Sequence, residues 1–434
     1  TVSQLRDAIE IKNEIASGNV GSAVIIGAGP IGLEMAEALT ELWGIETSVV
    51  EIADQILPGL VGRNLASMAQ RHMEQNNIQF QLSTQVLRME GEDRVERVVM
   101  ENGVLDADLV IIATGVNPND DLARHAGLEV APGGGILINE YMQTSDPNIF
   151  AGGDCVLIKN LITGKSFYHP SGSLANRQGR VIGTNLAGGK TKFEGAVGTF
   201  IIKLFDISVG SVGLSQAKAL EEGFNAFSTL VVQFDRAHFY PDKDLMYLEL
   251  IVDKDTGRVL GMQGLGNRGD GLFARLCSIA PILRFSPTVE ELGNLELPYS
   301  PPFSAAMDIV NALGNTAENI LDRRARVVDP DEFISWWNRR ENGATYFLDC
   351  RGWGNAKPYV EKFPDFWKHI PQDKLRQHLQ QVPRNKPIAL ICNTGVRSYE
   401  AQITLEEAGI TKTFNLQGGM AAVKKLGLDP LEDS

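Results

Sequence analysis

Cys392 lies between two stretches of different character. Ile388-Ala389-Leu390-Ile391 is an apolar run suited to a buried strand, and the residues after Val396 have the spacing of an amphipathic helix. A strand, a short loop and a helix in that order turn the backbone N–H groups of residues 393–397 and a helix N-terminus toward the thiol. Both favour an anion, so a thiolate or a persulfide is stabilised there. Arg397 adds a permanent cation. The Cys-x4-Arg spacing spans six residues, and so tight a loop suits a single sulfur atom. Cys392 and Arg397 are therefore candidate catalytic residues, with Asn393, Thr394, Gly395 and Val396 as the persulfide loop between them.

A second set of residues has nucleotide chemistry. The buried-strand pattern Ser22-Ala23-Val24-Ile25-Ile26 runs into Gly27, Gly29 and Gly32 in G-x-G-x-x-G register, and a helical pattern follows. Gly27 permits the tight turn, Gly29 lets a pyrophosphate approach the backbone, and Gly32 lets helix and strand pack closely. Pro30 and Ile31 complete the loop. A second strand ends in Glu51, whose carboxylate accepts from both ribose hydroxyls and repels a 2′-phosphate, which favours NADH over NADPH. Glu34 either points at the nicotinamide or is a charge favoured by the helix dipole. Gly115, ending the strand 109–115, is expected to abut the dinucleotide.

These elements must be positioned by a chain of 434 residues, enough for about three domains. With 40 basic and 54 acidic residues the net charge is −14, and no long Lys/Arg run appears, so nucleic acid and anionic membranes are poor partners. No apolar stretch is long enough to span a bilayer. Four cysteines without a C-x-x-C pair suit a reducing, cytoplasmic setting, and the six histidines show no metal-ligand spacing. Residues 61–76 read as a helix, 78–83 as a strand and 94–109 as a hairpin. Asp146-Pro147-Asn148 reads as a turn and Ile149-Phe150-Ala151 as a short strand. Residues 196–267 are β-rich, with a hairpin turn at Asp255-Thr256-Gly257.

The segment Ala113-Thr114-Gly115, followed by Thr144-x-x-Pro147-Asn148-Ile149-Phe150-Ala151-x-Gly153-Asp154, resembles the pyridine nucleotide-disulfide oxidoreductases. The resemblance implies FAD as well as NADH. It implies that Gly153 and Asp154 meet the flavin's ribityl and pyrophosphate region, with Leu174, Ala175 and Asn176 nearest the isoalloxazine or substrate. It also implies a discontinuous FAD domain whose N-terminal half, with the redox cysteine, is expected to lie ahead of Thr1. Cys155 reads instead as a small buried hydrophobe.

Residues 196–315 resemble that family's dimerisation domain, in the coenzyme A-disulfide reductase and persulfide reductase branch. His238-Phe239-Tyr240-Pro241 and Tyr299-Ser300-Pro301-Pro302 match the segments that send two tyrosines into the partner's active site. Tyr240 and Tyr299 thus become candidates to protonate a leaving sulfur across a homodimer interface. Met307 stands where coenzyme A-binding relatives have lysine, which weakens the case for coenzyme A itself as ligand. From Asp329 onward the chain resembles a rhodanese, through Leu348-Asp349-Cys350-Arg351, Cys392 to Ser398, and Leu416-Gln417-Gly418-Gly419-Met420. Cys392 then accepts sulfane sulfur, Asp349 and Arg351 organise the loop, and Cys350 is buried.

The expected fold class is α/β. Doubly wound nucleotide-binding domains are followed by an α+β dimerisation domain and a small α/β rhodanese domain. The expected boundaries are a crossover at 1–19, an NAD-binding domain at 20–117, half an FAD domain at 118–195, the dimerisation domain at 196–315, a linker at 316–328 and the rhodanese domain from 329. The implied function is FAD- and NADH-dependent reduction of persulfide, polysulfide or coenzyme A disulfide, with sulfane sulfur handled by Cys392. The rivals are an NADH oxidase or peroxidase and a flavin-free NADH-binding sulfurtransferase. Peroxide or oxygen consumption without sulfur substrate would single out the first, and absence of bound flavin the second.

Overall fold

The computed structural model describes residues 1–432. The first sheet is parallel, in the order Ile78–Gln81 (β3), Glu46–Val50 (β2), Ser22–Ile26 (β1), Leu109–Ile112 (β4). Val24 and Ile25 in β1 are buried because helices cover a parallel sheet. The crossover helix Pro30–Trp43 (α1) has proline in its first turn and ends at Gly44, whose φ of 66° is the left-handed conformation of a helix C-cap. The helix Arg63–Gln75 (α2) returns to β3. The expected hairpin is there as Arg97–Met100 and Gly103–Asp106, extended to three strands by Val86–Glu90.

Residues 118–195 form no large sheet. Their core gathers Ile136, Met142, Val156, Leu174, Val181 and Phe193 against the helix Gly172–Leu186 (α3). Ile149-Phe150-Ala151 is not a strand, since Phe150 makes a lone bridge to Gln143. The Asp146 turn keeps that backbone busy locally: Ile149 N–H donates to Asp146 and Asn148 N–H to the Asp146 carboxylate.

The third unit is a five-stranded antiparallel sheet. Its order is Thr199–Leu204 (β5), Ile207–Gly213 (β6), Val259–Asn267 (β9), Leu245–Asp253 (β8), Ala226–Phe234 (β7). Helices Asp270–Ile279 (α4) and Ile309–Leu321 (α5) cover one face. The other face shares a core with the first unit, where Leu204, Val209, Leu230 and Leu265 join Leu65 and Met68. Glu249 is buried on this face. It accepts from Gln263 Nε2 at 2.7 Å, and Gln263 Oε1 accepts from Gly62 N–H at 2.7 Å, just before α2.

Burial pushes the Glu249 pKa up. An acid with a raised folded-state pKa favours the fold at low pH, and that stability is lost as pH climbs from the ordinary glutamate value toward the raised one. Glu249→Gln is therefore expected to remove a slope of at most about 1.4 kcal/mol per pH unit from the stability profile above pH 4.5. Thermal unfolding of both proteins from pH 4 to 8 checks it, and parallel profiles would exclude Glu249 as the cause.

The last sheet is parallel, in the order Val327–Val328 (β10), Thr413–Leu416 (β14), Ile388–Ile391 (β13), Tyr346–Asp349 (β11), Trp367–His369 (β12). The residues expected to form a linker, 316–328, carry regular structure at both ends. α5 runs through Leu321, and Val327 already pairs with Asn415. Arg326 reaches into the fold and donates to Thr413 O at 3.2 Å, while Asp322, Arg323 and Arg324 stay exposed. This unit docks on the edge strand β7. Gln417 Oε1 accepts from Leu230 N–H at 2.8 Å and from Thr229 Oγ1 at 2.9 Å, which satisfies an edge that would otherwise be open.

Candidate functional site

Cys392 follows the buried strand β13 and is only 2% exposed. The backbone turns at Gly395, whose φ of 104° suits glycine, and helix Val396–Glu407 (α6) begins. Among the loop amides expected to face the sulfur, the one within hydrogen-bond distance is Gly395 N–H, at 3.0 Å. Ser398 Oγ, one helical turn on, lies 3.1 Å from the sulfur and 2.6 Å from Asn415 Oδ1. Asn415 is held by its Nδ2 donating to Gly395 O at 3.0 Å. Asn415 does not stand out in the sequence, and Ser398 is singled out there only as the last residue of the rhodanese-like loop, with no role assigned. The loop is clasped from the other side by the Gly418-Gly419 turn, where Met420 N–H donates to Cys392 O and Ala421 N–H to Asn393 O, both at 2.9 Å. A Cβ on Gly419 would lie 2.6 Å from Cys392 O, so only glycine allows this approach.

Beneath the loop, Asp349 and Arg351 form a buried pair at 2.6 Å. Trp367 Nε1 donates to Asp349 at 2.9 Å, and the Arg351 guanidinium lies over the Tyr359 ring. Tyr359 donates to Asp429 at 2.9 Å, and burial first, then Asp429, pushes its pKa up. Every charge is paired, so the pair is a rigid support rather than a reacting group; leaving either partner alone would cost about 3–5 kcal/mol. Cys350 is 1% exposed, and burial, more than Asp349 and Cys392, drives its thiol pKa well up.

A cavity of about 640 Å³ opens on Cys392. Arg397, Arg351 and Lys424 of the last unit line it together with Phe234 and Leu245 of the third unit. Arg397 is exposed and has no hydrogen-bond or carboxylate partner among the described residues. Asn393, Thr394 and Val396 also line it.

The nucleotide residues gather at a second cleft of about 1260 Å³, lined by Gly27, Gly29, Pro30, Ile31, Glu51 and Gly115. A Cβ on Gly32 would lie 2.0 Å from Gly27 O, whereas one on Gly29 would meet nothing within 4 Å. The first glycine packs the helix and the second leaves room for a ligand. Glu51 is buried and braces the loop by accepting from Ala28 N–H at 2.7 Å and Ala53 N–H at 2.9 Å. Its oxygens keep lone pairs for a ribose. Glu34 is exposed on α1, outside the residues lining this cleft.

Gly153 N–H donates to Gln178 Oε1 at 2.6 Å, and a Cβ on Gly152 would lie 2.8 Å from Ile182 Cδ1. The turn is thereby pressed onto α3. It leaves Asp154 exposed, accepting from Ser171 N–H at 3.2 Å at the start of that helix. Ser171 makes no side-chain cap, so the helix's first amides stay open. An exposed carboxylate beside open amides fits a ribityl chain and a pyrophosphate. Ala175 and Asn176 lie on this first turn. Leu174, on the same turn, packs into the core on the buried face of α3. Cys155 is half-buried, with Sγ near Gly152 O at 3.4 Å.

Tyr240 and Tyr299 lie on two loops that Arg275 binds together. Its guanidinium pairs with Asp308 at 2.6 Å and donates to Asp235 O and Phe303 O. Tyr299 is half-exposed, and neither tyrosine lines either cavity of its own chain. Arg275 and Asp308 gave no signal in the sequence, because the partners that bind the loops are 28 to 40 residues from Arg275.

A dinucleotide cleft joined to a dimerisation-type sheet and a thiol-loop domain defines a two-site redox and sulfur-handling enzyme. Family comparison agrees. The pyridine nucleotide-disulphide oxidoreductase model matches residues 1–177, its dimerisation domain 199–310, and a rhodanese-like domain 335–426. The chain belongs to the pyridine nucleotide-disulphide oxidoreductases, a family that uses FAD and NAD(P)H, and it carries a rhodanese-like domain. It is 35% identical over 302 residues to the NAD(P)H sulfur oxidoreductase (CoA-dependent) of Pyrococcus abyssi, covering 70% of this chain and 67% of that one. It is 33% identical to the NAD(P)H coenzyme A polysulfide/persulfide reductase of Pyrococcus horikoshii, with the same coverage. Among solved structures it resembles the NAD-dependent persulfide reductase of A. fulgidus, with a TM-score of 0.88 and 37% identity over 97% of this chain and 75% of that one. The reduced Bacillus anthracis CoADR-RHD gives a TM-score of 0.87 and 32% identity over 98% and 74%.

Proposed function

We propose that this chain works in the NADH-dependent reduction of persulfide, polysulfide or coenzyme A disulfide bonds, with Cys392 as the carrier of sulfane sulfur. The observation that supports it most is the Cys392 sulfur, held between Gly395 N–H and the Ser398 hydroxyl and open to a cavity bearing an unpaired arginine. NADH binds at Gly27 to Gly32 with its adenosine ribose on Glu51. FAD, held at Gly153, Asp154 and the start of α3, supplies a two-electron relay when bound.

Ser398 has one proton to give. Beside a neutral thiol that proton goes to Asn415 Oδ1. Beside a thiolate or persulfide it turns to the sulfur, so the anion is stabilised without moving the backbone. Arg397 draws the anionic end of the donor into the cavity. Two copies pair through the third unit, whose exposed Phe239, Phe285 and Phe303 would be covered. Tyr240 and Tyr299 then act in the partner's site. The charge of −14 opposes nucleic acid as a partner, and among the described residues no helix is long and apolar enough to cross a membrane.

The test uses the whole protein. Incubation with thiosulfate, polysulfide or coenzyme A persulfide is expected to add one sulfur atom at Cys392, read by intact mass and peptide mapping. NADH is then expected to release that sulfur as sulfide. A Cys392 that stays unmodified with all three donors would sink the reading.

A further inference from the structure

We infer that Phe234 and Leu245, which belong to the dimerisation-type sheet, form the far wall of the Cys392 cavity and select sulfane donors that carry an apolar arm behind an anionic end. This rests on the sulfur-carrier reading of Cys392.

Phe234 and Leu245 are cross-strand partners at the end of β7 and the start of β8. Both are half-buried, and both line the cavity that opens on Cys392. They come from a different unit, so the cavity is complete only when the two units are docked. The docking is tight. Gln417 bonds the β7 backbone, Ala422 is buried in the core shared with Leu230 and Val232, and a Cβ on Gly418 would lie 3.0 Å from Val232 Cγ2. The wall therefore stands in a fixed place relative to the sulfur.

The two sides of the cavity ask for different chemistry. On the sulfur side, Arg351 is already neutralised by Asp349, and Lys424 lies 3.6 Å from Asp429, which leaves Arg397 as the cation free to take one negative charge. On the other side, Phe234 and Leu245 offer carbon, and Pro358, Met420 and Leu431 of the thiol-loop unit add apolar surface to the lining. Thiosulfate, five heavy atoms, fills roughly 100–150 Å³ at the volume of a water molecule per atom. It leaves most of the 640 Å³ unused and hydrates the apolar wall. A thiosulfonate, R–SO2–S⁻, or an organic persulfide, R–S–S⁻, places the same anionic end at Arg397 and buries R on Phe234 and Leu245. The Cys392 thiolate attacks the outer sulfur, one S–S bond forms and one breaks, and the electron pair leaves with R–SO2⁻ or R–S⁻. No further oxidant or reductant is needed.

The experiment compares two donors that differ only in the arm, benzenethiosulfonate and thiosulfate, with cyanide as sulfur acceptor and the full chain as enzyme. The ratio of their kcat/KM values is expected to fall about tenfold in Phe234→Ala, chiefly through KM for the thiosulfonate, as one face of apolar contact is lost. Phe234→Leu is expected to recover part of the ratio, and Leu245→Ala to lower it in the same direction. Thermal unfolding shows whether docking survives. A ratio unchanged within about twofold in both alanine variants, in proteins that unfold as wild type does, would overturn the inference while leaving Cys392 as the carrier. Wild-type protein that forms no persulfide with either donor would remove the carrier reading, and this inference with it.

Discussion

Cys392→Ala is expected to abolish persulfide formation in the thiol loop and sulfur transfer from thiosulfate, because none of the other three cysteines among the described residues is placed to substitute for it. Cys350 is 1% exposed and its thiol is held neutral by burial, while Cys155 and Cys277 belong to other units. The loss should be of function and not of fold, at a stability cost of about 1 kcal/mol. Ser398→Ala separates the sulfur's environment from the sulfur itself. It removes a hydroxyl 3.1 Å from Sγ and leaves Asn415 Oδ1 without its donor. Sulfur transfer should slow by about ten- to a hundredfold, the range of one hydrogen bond to a charged acceptor. Intact mass after donor treatment, with single-turnover rates, measures both. A persulfide found on Cys392→Ala protein would mean that another cysteine carries the sulfur. Full activity in Ser398→Ala would mean that Gly395 N–H and the helix terminus suffice.

The two loop glycines of the nucleotide cleft should fail in opposite ways. Gly29 has φ −77° and ψ 179°, a conformation valine adopts freely, and its Cβ position is empty. Gly29→Val is therefore expected to leave the melting temperature nearly unchanged while filling the space a pyrophosphate needs. The NADH dissociation constant should rise by about a hundredfold or more, a loss of about 2.7 kcal/mol or more. Gly32→Ala puts a methyl 2.0 Å from Gly27 O, so α1 must be pushed off β1. That strain in a packed core should cost about 1–3 kcal/mol or more. NADH fluorescence titration and thermal unfolding of both variants distinguish the two effects. Wild-type affinity in Gly29→Val would show that the dinucleotide approaches by another route.

Much of the fold could be read along the chain because its information is local. The stretch 23–26 is apolar throughout and runs into a glycine, so strand, loop and helix follow from composition and backbone sterics over about twenty residues. The same holds for Ile388–Ile391 with the thiol loop, and for the Gly418-Gly419 turn. Local reading failed where local and tertiary signals disagree. Residues 316–328 look like a solvated connector, yet the helix continues to Leu321 and Arg326 donates to Thr413 O inside the fold.

What the sequence alone determined is the chemistry each motif can do: a thiol at a helix start, a glycine loop for a pyrophosphate, a carboxylate to read a ribose. Residue type and short spacing suffice for these, since a strand, loop and helix position their own backbone donors. Tertiary structure alone decided what surrounds the chemistry. Asn415 reaches Ser398 because two strands are neighbours, and Trp367 and Tyr359 lock Asp349 and Arg351 from separate elements. Glu249 meets Gln263 across a sheet, and Gln263 meets Gly62 from 201 residues away. Phe234 and Leu245 reach the Cys392 cavity from another unit. Such contacts depend on how packed faces meet, and neither periodicity nor composition records which face will meet which.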